Sequence, residues 1–453
     1  MDLSRRRLLS IGSAGLALPA IRPGGILGIE LFGRSNGLSA NFKVLEVFLE
    51  GGLSHREALW LAGGSYASWS DEPIWSDIDG FDTAASDWSH DGITLSKATS
   101  PLQDYSDRLR VVAMGHDLEP HTAAVALAAT GKTIGRPRQA GSGAAIQRLA
   151  GGSTPVSWVL RGWRGARAAR AASTTGLHGA EHRPISLSVS SASGADDIID
   201  EFLVARNTSR DALRDVYRNR YEDRLRFSGS SVRSAGHEAF VAASNAAHDA
   251  EAIGAQLDGG TLQLTGDTTY QNNHTRTALQ MAAHLLSNDA RYVCVIDSGV
   301  HSTYDTHDGT EDEDSYYATL QAGNLWSTLD EVAALIDSGA LDLDDTLVVF
   351  NTEFGRKDQT TGSNHHPDGY GVMCLGGPVG LDGSSGVSGA FDEDDVVATH
   401  THANPTALRV AVLAAAGIDP FHSDNFDPDE LDAALGETAL IQDAIAYFFG
   451  VGV

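Results

Sequence analysis

The sequence predicts an α/β fold with a largely parallel central sheet. Short apolar runs, typical of buried strands, alternate along the chain with segments whose apolar residues recur at helical spacing. Clusters of His, Asp and Glu follow these runs. Because helices that connect parallel strands cover the sheet, the alternation favours an α/β sandwich, with ligand chemistry at the carboxyl ends of its strands.

The predicted elements follow from these patterns in chain order. Strands are predicted at 42–49, 109–114, 291–297, 346–351 and 371–375, where short apolar runs occur. Helices are predicted at about 121–130, at 277–286 and at 316–336. In the last of these, apolar residues at helical spacing indicate the buried face: Leu320, Leu325, Leu329, Val332 and Leu335.

Residues 1–38 predict an export signal and a spacer in front of a single domain at 39–453. Arg5, Arg6 and Arg7 precede a short apolar run rich in Ala and Gly, which is the order of a signal peptide. The paired arginines indicate the twin-arginine translocase as a partner, and hence a secreted or cell-surface protein. No later run reaches the roughly 18 apolar residues of a transmembrane helix.

Two segments of the domain are predicted to be surface insertions, one near 160–180 and one near 227–236. In the first, arginines recur at every third position, at Arg161, Arg164, Arg167 and Arg170. This segment is either a loop that rests on the acidic surface or an arm that binds an anionic polymer. The second is a run rich in Ser and Gly, which is typical of a loop.

The composition indicates a very salty environment. The formal net charge is -28, with 60 acidic residues against 32 basic ones. Such a surface repels itself in dilute buffer and is screened in concentrated salt. The acid-rich, lysine-poor composition resembles that of proteins from halophilic archaea. Nucleic acid is disfavoured as a partner because no basic face is predicted.

The two cysteines, Cys294 and Cys374, lie inside predicted strands. They are interpreted as small core residues rather than as a disulfide or a thiolate metal site.

Polar clusters at the predicted strand ends indicate a site. They contain imidazoles and carboxylates, which together are the ligand set for zinc, manganese or iron. If the strands are parallel, their carboxyl ends meet at one edge of the sheet, so the clusters converge there. The clusters lie at 51–55, 116–122, 301–307, 352–356 and 364–368.

Five motifs resemble the DUF1501 family of secreted proteins, over residues from about 42 to about 419. The motifs are GGLSH at 51–55, HTAAVALAATGK at 121–132, YDTHDG at 304–309, NTEFGR at 351–356 and NHHPDGYGVMCLGG at 364–377. That family is grouped with the alkaline-phosphatase-like superfamily. The resemblance implies a three-layer sandwich that uses a divalent metal to act on anionic phosphate or sulfate esters.

The resemblance also implies a ligand set. Asp305 and His307 match the family's DTH motif, at the position where phosphatase-type enzymes hold a metal. Glu353 matches the strand end that bears a ligand of the second metal. Either His365 or His366 corresponds to the last histidine ligand. His55 is expected to complete the pocket.

Three further residues are candidates for catalysis. Arg356 is interpreted either as the group that neutralises a tetrahedral anion or as a structural salt bridge. His121, followed by Thr122, stands where phosphatase-type enzymes place a nucleophilic Ser or Thr, so His121 is a ligand, a nucleophile or a base. Many family members have Asp where this chain has Asn364.

The leading hypothesis is therefore an exported metal-dependent hydrolase of phosphate or sulfate esters. The alternative is a non-catalytic exported binding or cell-surface protein that retains the fold, since the usual nucleophile and one carboxylate are replaced.

Overall fold

The computed structural model describes residues 42–61, 72–151, 155–189, 274–306, 314–357, 364–394, 396–397, 402–432 and 434–451, together with Val216 and Arg220. The export signal and spacer at 1–38, the Ser/Gly run at 227–236 and His307 lie outside these residues.

Strands form at the apolar runs of the sequence and at several short segments between them. They are β1 (Lys43–Leu49), β2 (Trp60–Leu61), β3 (Trp88–His90), β4 (Ile93–Leu95), β5 (Leu109–Met114), β6 (Ser157–Arg161), β7 (Ile185–Ser188), β8 (Tyr292–Asp297), β9 (Thr346–Thr352), β10 (Gly355–Lys357), β11 (Asn364–His366), β12 (Tyr370–Gly376) and β13 (Gly386–Ser388). All five predicted strands are confirmed, with ends shifted by at most one residue.

The helices alternate with the strands of the large sheet. They are α1 (His55–Ala58), α2 (His121–Thr130), α3 (Ser142–Ile146), α4 (Ala166–Ala172), α5 (Thr275–Ser287), α6 (Asp314–Asp337), α7 (Pro405–Ala415) and α8 (Glu437–Phe449). The three predicted helices are confirmed as α2, α5 and α6.

Eight of the described strands form a central sheet in the order β13-β5-β12-β9-β1-β8-β6-β7. The pairings of β1 with β8 and β9, of β6 with β7 and β8, and of β13 with β5 are parallel. Strand β12 pairs antiparallel with both β5 and β9. The prediction of a mixed α/β fold with a largely parallel central sheet is therefore confirmed.

Helices cover both faces of this sheet because its strands are apolar on both sides. On β1, Val44 and Phe48 point into one core, which they share with α2, α7 and α8. Leu45, Val47 and Leu49 point into the opposite core, which they share with α5 and α6. Among the described helices, none is both long enough and apolar enough to cross a membrane.

The segment near 160–180, which we predicted to be a surface insertion, contains the end of a sheet strand and a partly buried helix. Strand β6 pairs with β8 and β7 inside the sheet, and α4 buries Ala168, Ala169 and Ala172. Only the opposite side of α4, with Arg167 and Arg170, is exposed. From the sequence we considered only the spacing of the arginines and overlooked the alanines, which pack against the core.

The interpretation of the two cysteines as core residues is confirmed. Cys294 lies in β8 and Cys374 in β12, and both are buried free thiols. Burial raises the pKa of both thiols, which keeps them protonated.

Candidate functional site

Loops from five strands meet at one edge of the central sheet. Because β1, β5, β8 and β9 share one direction, the residues that follow each of them arrive at the same edge. Strand β12 runs the other way, so its first residue, not its last, lies at this edge. The segment 364–368 therefore precedes a strand of the sheet, which differs from our prediction that it follows one.

Four side chains from these loops form a carboxylate–histidine cluster: His121, Asp305, Glu353 and His365. The Nε2 atom of His121 lies 3.1 Å from Asp305 Oδ1, and its Nδ1 atom lies 3.0 Å from Glu353 Oε1. His365 Nε2 lies 3.0 Å from His121 Nε2. These residues are far apart in the chain, so the cluster exists only in the folded protein.

His121 reaches the cluster because it is the first residue of α2. Pro120 occupies the N-cap position, and its carbonyl accepts hydrogen bonds from the amides of Ala123 and Ala124. The rest of α2 is apolar and buried, so only its first turn faces the site. Thr122, the other candidate at this helix start, is exposed to solvent.

Glu353 is the buried centre of the cluster. It is 0% exposed, and its Oε1 atom accepts a hydrogen bond of 2.8 Å from the amide of Gly51. Its other oxygen, Oε2, is buried without a hydrogen-bond partner among the described residues. A buried oxygen in that state is costly, on the order of 1–3 kcal/mol, so Oε2 marks a place for a cation or a donor.

Arg356 connects the cluster to the end of β1. Its side chain is buried, and Nη2 donates a hydrogen bond of 2.7 Å to Asp305 Oδ1. Its Nε atom donates one of 2.9 Å to the carbonyl of Gly51. These contacts correspond to the structural salt bridge that we considered for Arg356, and its binding of a tetrahedral anion stays a prediction.

The cluster stabilises opposite charges on its members. Burial raises the pKa of Asp305, but the hydrogen bond from His121 and the charge of Arg356 outweigh it and hold this pKa well below its usual range. Burial lowers the pKa of His121, yet the hydrogen bonds to Asp305 and Glu353 raise it overall. His121 thus bridges two carboxylates, which favour the protonated form of its ring.

The choice between His365 and His366 follows from the pairing of β11 with β10. Successive strand residues point to opposite sides, so when His365 faces His121, His366 faces away. The ring of His366 lies 6.5 Å from that of His55, which stacks on Phe391 at 4.3 Å. The structure therefore brings His365 into the cluster and places His55 and His366 on the other side of β11.

Acidification from pH 7 to pH 5 is expected to lower the free energy of unfolding, with about 2 kcal/mol of the loss due to His55. Burial, helped by the charge of Arg56, lowers the pKa of His55 from 6.5 to about 3. Between these values the unfolded chain binds a proton that the folded protein does not, so stability rises with pH in this window. Denaturant titrations of the wild type and His55→Gln at both pH values measure the effect.

His284→Gln, at a partly exposed histidine of α5, is the control and is expected to keep the full acid sensitivity. An equal loss in wild type and His55→Gln would contradict the assignment.

Sequence reasoning missed the residues that hold Asp305 in place. Asp297, buried at the end of β8, accepts hydrogen bonds from Tyr304 Oη at 2.9 Å and from Thr328 Oγ1 at 2.6 Å. Gln321 of α6 donates to the carbonyl of Tyr304 at 2.8 Å. Asp297 was visible as an acid after an apolar run, whereas nothing in the pattern of α6 distinguishes Gln321.

The carboxylate oxygens and imidazole nitrogens of the cluster are atoms that bind divalent cations. In this structure, however, these atoms form hydrogen bonds with one another. Within the part of the chain that the structure describes, no group of three or more His, Cys, Asp and Glu is arranged as a metal site. His307, a predicted ligand, lies outside that part. The unpartnered Glu353 Oε2 is the observation that fits a cation here.

Three chains of solved structures match this chain, and they include the following two. The crystal structure of Ps i-CgsB matches with a TM-score of 0.38 and 11% identity, covering 86% of this chain and 74% of that chain. The crystal structure of Ps i-CgsB in complex with k-i-k-neocarrahexaose matches with a TM-score of 0.37 and 12% identity, with the same coverage. At these scores, neither likeness decides anything about fold or function.

Sequence comparison identifies the family of this chain. No curated protein matches the chain significantly. The sequence model described as "Protein of unknown function (DUF1501)" matches residues 42–438, which include every strand and helix that contributes to the cluster. The chain therefore belongs to the DUF1501 family.

Proposed function

We propose that this protein is a metal-dependent hydrolase of phosphate or sulfate esters, exported by the twin-arginine route. The observation that carries the proposal is the convergence of two carboxylates and two imidazoles at the carboxyl edge of the sheet, together with the buried oxygen Glu353 Oε2, which has no hydrogen-bond partner among the described residues. Such oxygen and nitrogen donors favour zinc, manganese or iron.

In the proposal Asp305, Glu353 and His365 hold the cation, with His307 as a further ligand. A bound divalent ion would polarise the ester oxygen and stabilise the charge of the leaving group. Other contacts hold two of these side chains in position: Arg356 donates a hydrogen bond to Asp305, and the amide of Gly51 donates one to Glu353. Rigid donors of this kind reduce the cost of gathering like charges around one ion.

His121 completes the proposed site. It lies within hydrogen-bond distance of Asp305 Oδ1 and Glu353 Oε1, so a proton can pass between imidazole and carboxylate without movement of the backbone. Its position on the first turn of α2 also matters, because the positive end of the helix dipole favours an anionic ester group. Thr122, on the same turn, is exposed and accessible to a substrate.

The experiment measures metal content by inductively coupled plasma mass spectrometry, and turnover of 4-nitrophenyl phosphate and 4-nitrophenyl sulfate, in molar salt. The wild type is expected to bind about one or two ions per chain. Asp305→Ala and Glu353→Gln are expected to lose the metal and at least about 100-fold in turnover. The matched control is Asp345→Ala, because Asp345 is a partly exposed carboxylate at the opposite edge of the sheet, paired with Lys43 at 2.8 Å.

The second candidate is a non-catalytic binding or cell-surface protein. The observation that favours it is the closed ion-pair network of Arg356, Asp305 and His121, in which these groups already neutralise one another. Folded wild-type protein that neither takes up added metal nor turns over either ester would support this candidate and reject the hydrolase.

A further inference from the structure

The charges of this protein are unevenly distributed along its sequence. The chain has 60 acidic residues, yet none lies between positions 120 and 180, where eight Lys and Arg residues occur. This cationic stretch begins with helix α2 of the site and ends after α4. Exposed arginines in this stretch can approach an anion without repulsion from acidic residues close to them in the sequence.

One aromatic side chain is prominent in this stretch. Trp163 is 70% exposed, more than any other large apolar side chain in the described ranges. Most of this indole is in contact with solvent, so it contributes little to the stability of the core. Large exposed aromatic side chains are typical of surfaces that bind a ligand.

The loop that carries Trp163 is firmly held. Arg161 Nη1 donates hydrogen bonds to the carbonyls of Gly162 at 2.9 Å and of Trp163 at 3.0 Å. Gly165 has a positive φ of 84°, and a Cβ there would lie 2.6 Å from Ile296 Cγ2, so the loop packs tightly on the end of β8. Trp163 is thus presented by an ordered backbone, which limits the entropy lost when a ligand binds.

The loop lies at the same edge of the sheet as the carboxylate–histidine cluster. Strand β6 is parallel to β8, so Trp163, which follows β6, emerges at the carboxyl edge. Three strand spacings separate β6 from β9, which precedes Glu353, or about 14 Å in total. The amide of Ala168 in α4 donates a hydrogen bond of 3.1 Å to Glu50 at the end of β1, and α4 packs against α2.

Two exposed arginines accompany the tryptophan. Arg167 and Arg170 lie three residues apart on α4, so they share one face, with their Cβ atoms about 5–6 Å apart. An exposed aromatic ring and exposed guanidinium groups within one short segment offer a flat apolar contact and bidentate partners for anionic oxygens.

We propose that Trp163, Arg167 and Arg170 form a binding subsite for a saccharide chain that carries sulfate or phosphate groups. The indole stacks on the apolar face of a sugar ring, and the arginines bind its anionic substituents. A nucleic acid fits less well, because its dense phosphate charge needs a continuous basic stripe and the whole chain carries -28. Binding of the saccharide at this subsite does not depend on the proposed hydrolase function. Only the delivery of a bound ester group to the carboxylate–histidine cluster rests on that function.

Binding of dextran sulfate, measured by isothermal titration calorimetry against neutral dextran at the lowest salt that preserves the fold, tests the subsite. Trp163→Ala is expected to weaken binding about tenfold, which corresponds to about 1.4 kcal/mol, because the stacking contact of the indole is lost. Arg167→Gln/Arg170→Gln is expected to weaken it similarly and to reduce its salt dependence. Arg136→Gln, which removes an exposed arginine after the last turn of α2, is the control and should bind as the wild type does.

The outcomes separate this proposal from the hydrolase. Binding that survives Asp305→Ala but falls in the Trp163 and arginine variants supports the subsite even if no ester is turned over. Equal affinity for dextran and dextran sulfate, wild-type affinity in both subsite variants, or tighter binding of single-stranded DNA would each overturn it.

Discussion

Replacing Arg409 with methionine is expected to lower the free energy of unfolding by about 3–5 kcal/mol. Arg409 of α7 donates hydrogen bonds to both carboxylate oxygens of Glu46 on β1, at 2.6 Å and 2.5 Å. Both side chains are about 1% exposed, in the core between the sheet and α7. Without the guanidinium, the carboxylate stays buried with no opposite charge, and burial alone disfavours its charged form.

Urea denaturation in molar salt measures this change in the free energy of unfolding. Two further variants show how much of it is due to the unpaired buried charge. Lys43→Met breaks the partly exposed pair with Asp345 and is expected to cost less than about 1 kcal/mol. Glu46→Met/Arg409→Met removes both charges and should recover part of the loss, although Tyr292 Oη then loses its acceptor, Glu46 Oε2. A cost for Arg409→Met as small as that of Lys43→Met would show that the buried pair is dispensable.

Replacing Gly51 with alanine is expected to cost about 3 kcal/mol or more and to displace the loop that carries Asp305. Gly51 has a φ of 129°, and a Cβ there would lie 2.4 Å from the amide nitrogen of Asp305. The backbone conformation alone costs roughly 1–2 kcal/mol for an L side chain, and the clash adds to it because the contact is with backbone. The amide of Gly51 also holds Glu353, so the cluster is expected to lose its geometry.

Gly92→Ala is the matched control, because Gly92 also has a positive φ, 85°, but nothing lies within 4 Å of its Cβ position. It should show the conformational cost alone and keep the metal content and turnover of the wild type. Equal stabilities of the two alanine variants would contradict the close approach of Gly51 and Asp305.

The fold was predictable from the sequence where apolar runs are long and unbroken. Strands β1, β8 and β9 are buried on both faces, so most of their residues are apolar and the pattern is plain. Strands β6 and β7 were missed because one lies beside an arginine series and the other alternates Ser with Ile and Leu. Strand β7 is the edge strand, where burial demands less of the sequence, whereas β6 is paired on both sides and buried.

The candidate site was predictable as a set of residue types at strand ends, but not as an arrangement. Sequence order placed Asp305 and Glu353 after parallel strands, which was enough to expect them at one edge. It could not choose between His365 and His366, because their orientation depends on the pairing of β11 with β10. Nor could it show that Arg356 binds Asp305, since that contact depends on the path of the loop around Gly51.

The sequence by itself determined the α/β class, the family, the charge of -28 and the kinds of donor that gather at the sheet edge. These properties depend on composition, on local periodicity and on motifs read along the chain. The tertiary structure alone decided that His121 bridges two carboxylates, that β12 runs against its neighbours and that the amide of Gly51 donates a hydrogen bond to Glu353. Such features arise from long-range packing, which joins residues hundreds of positions apart and leaves no local pattern in the sequence.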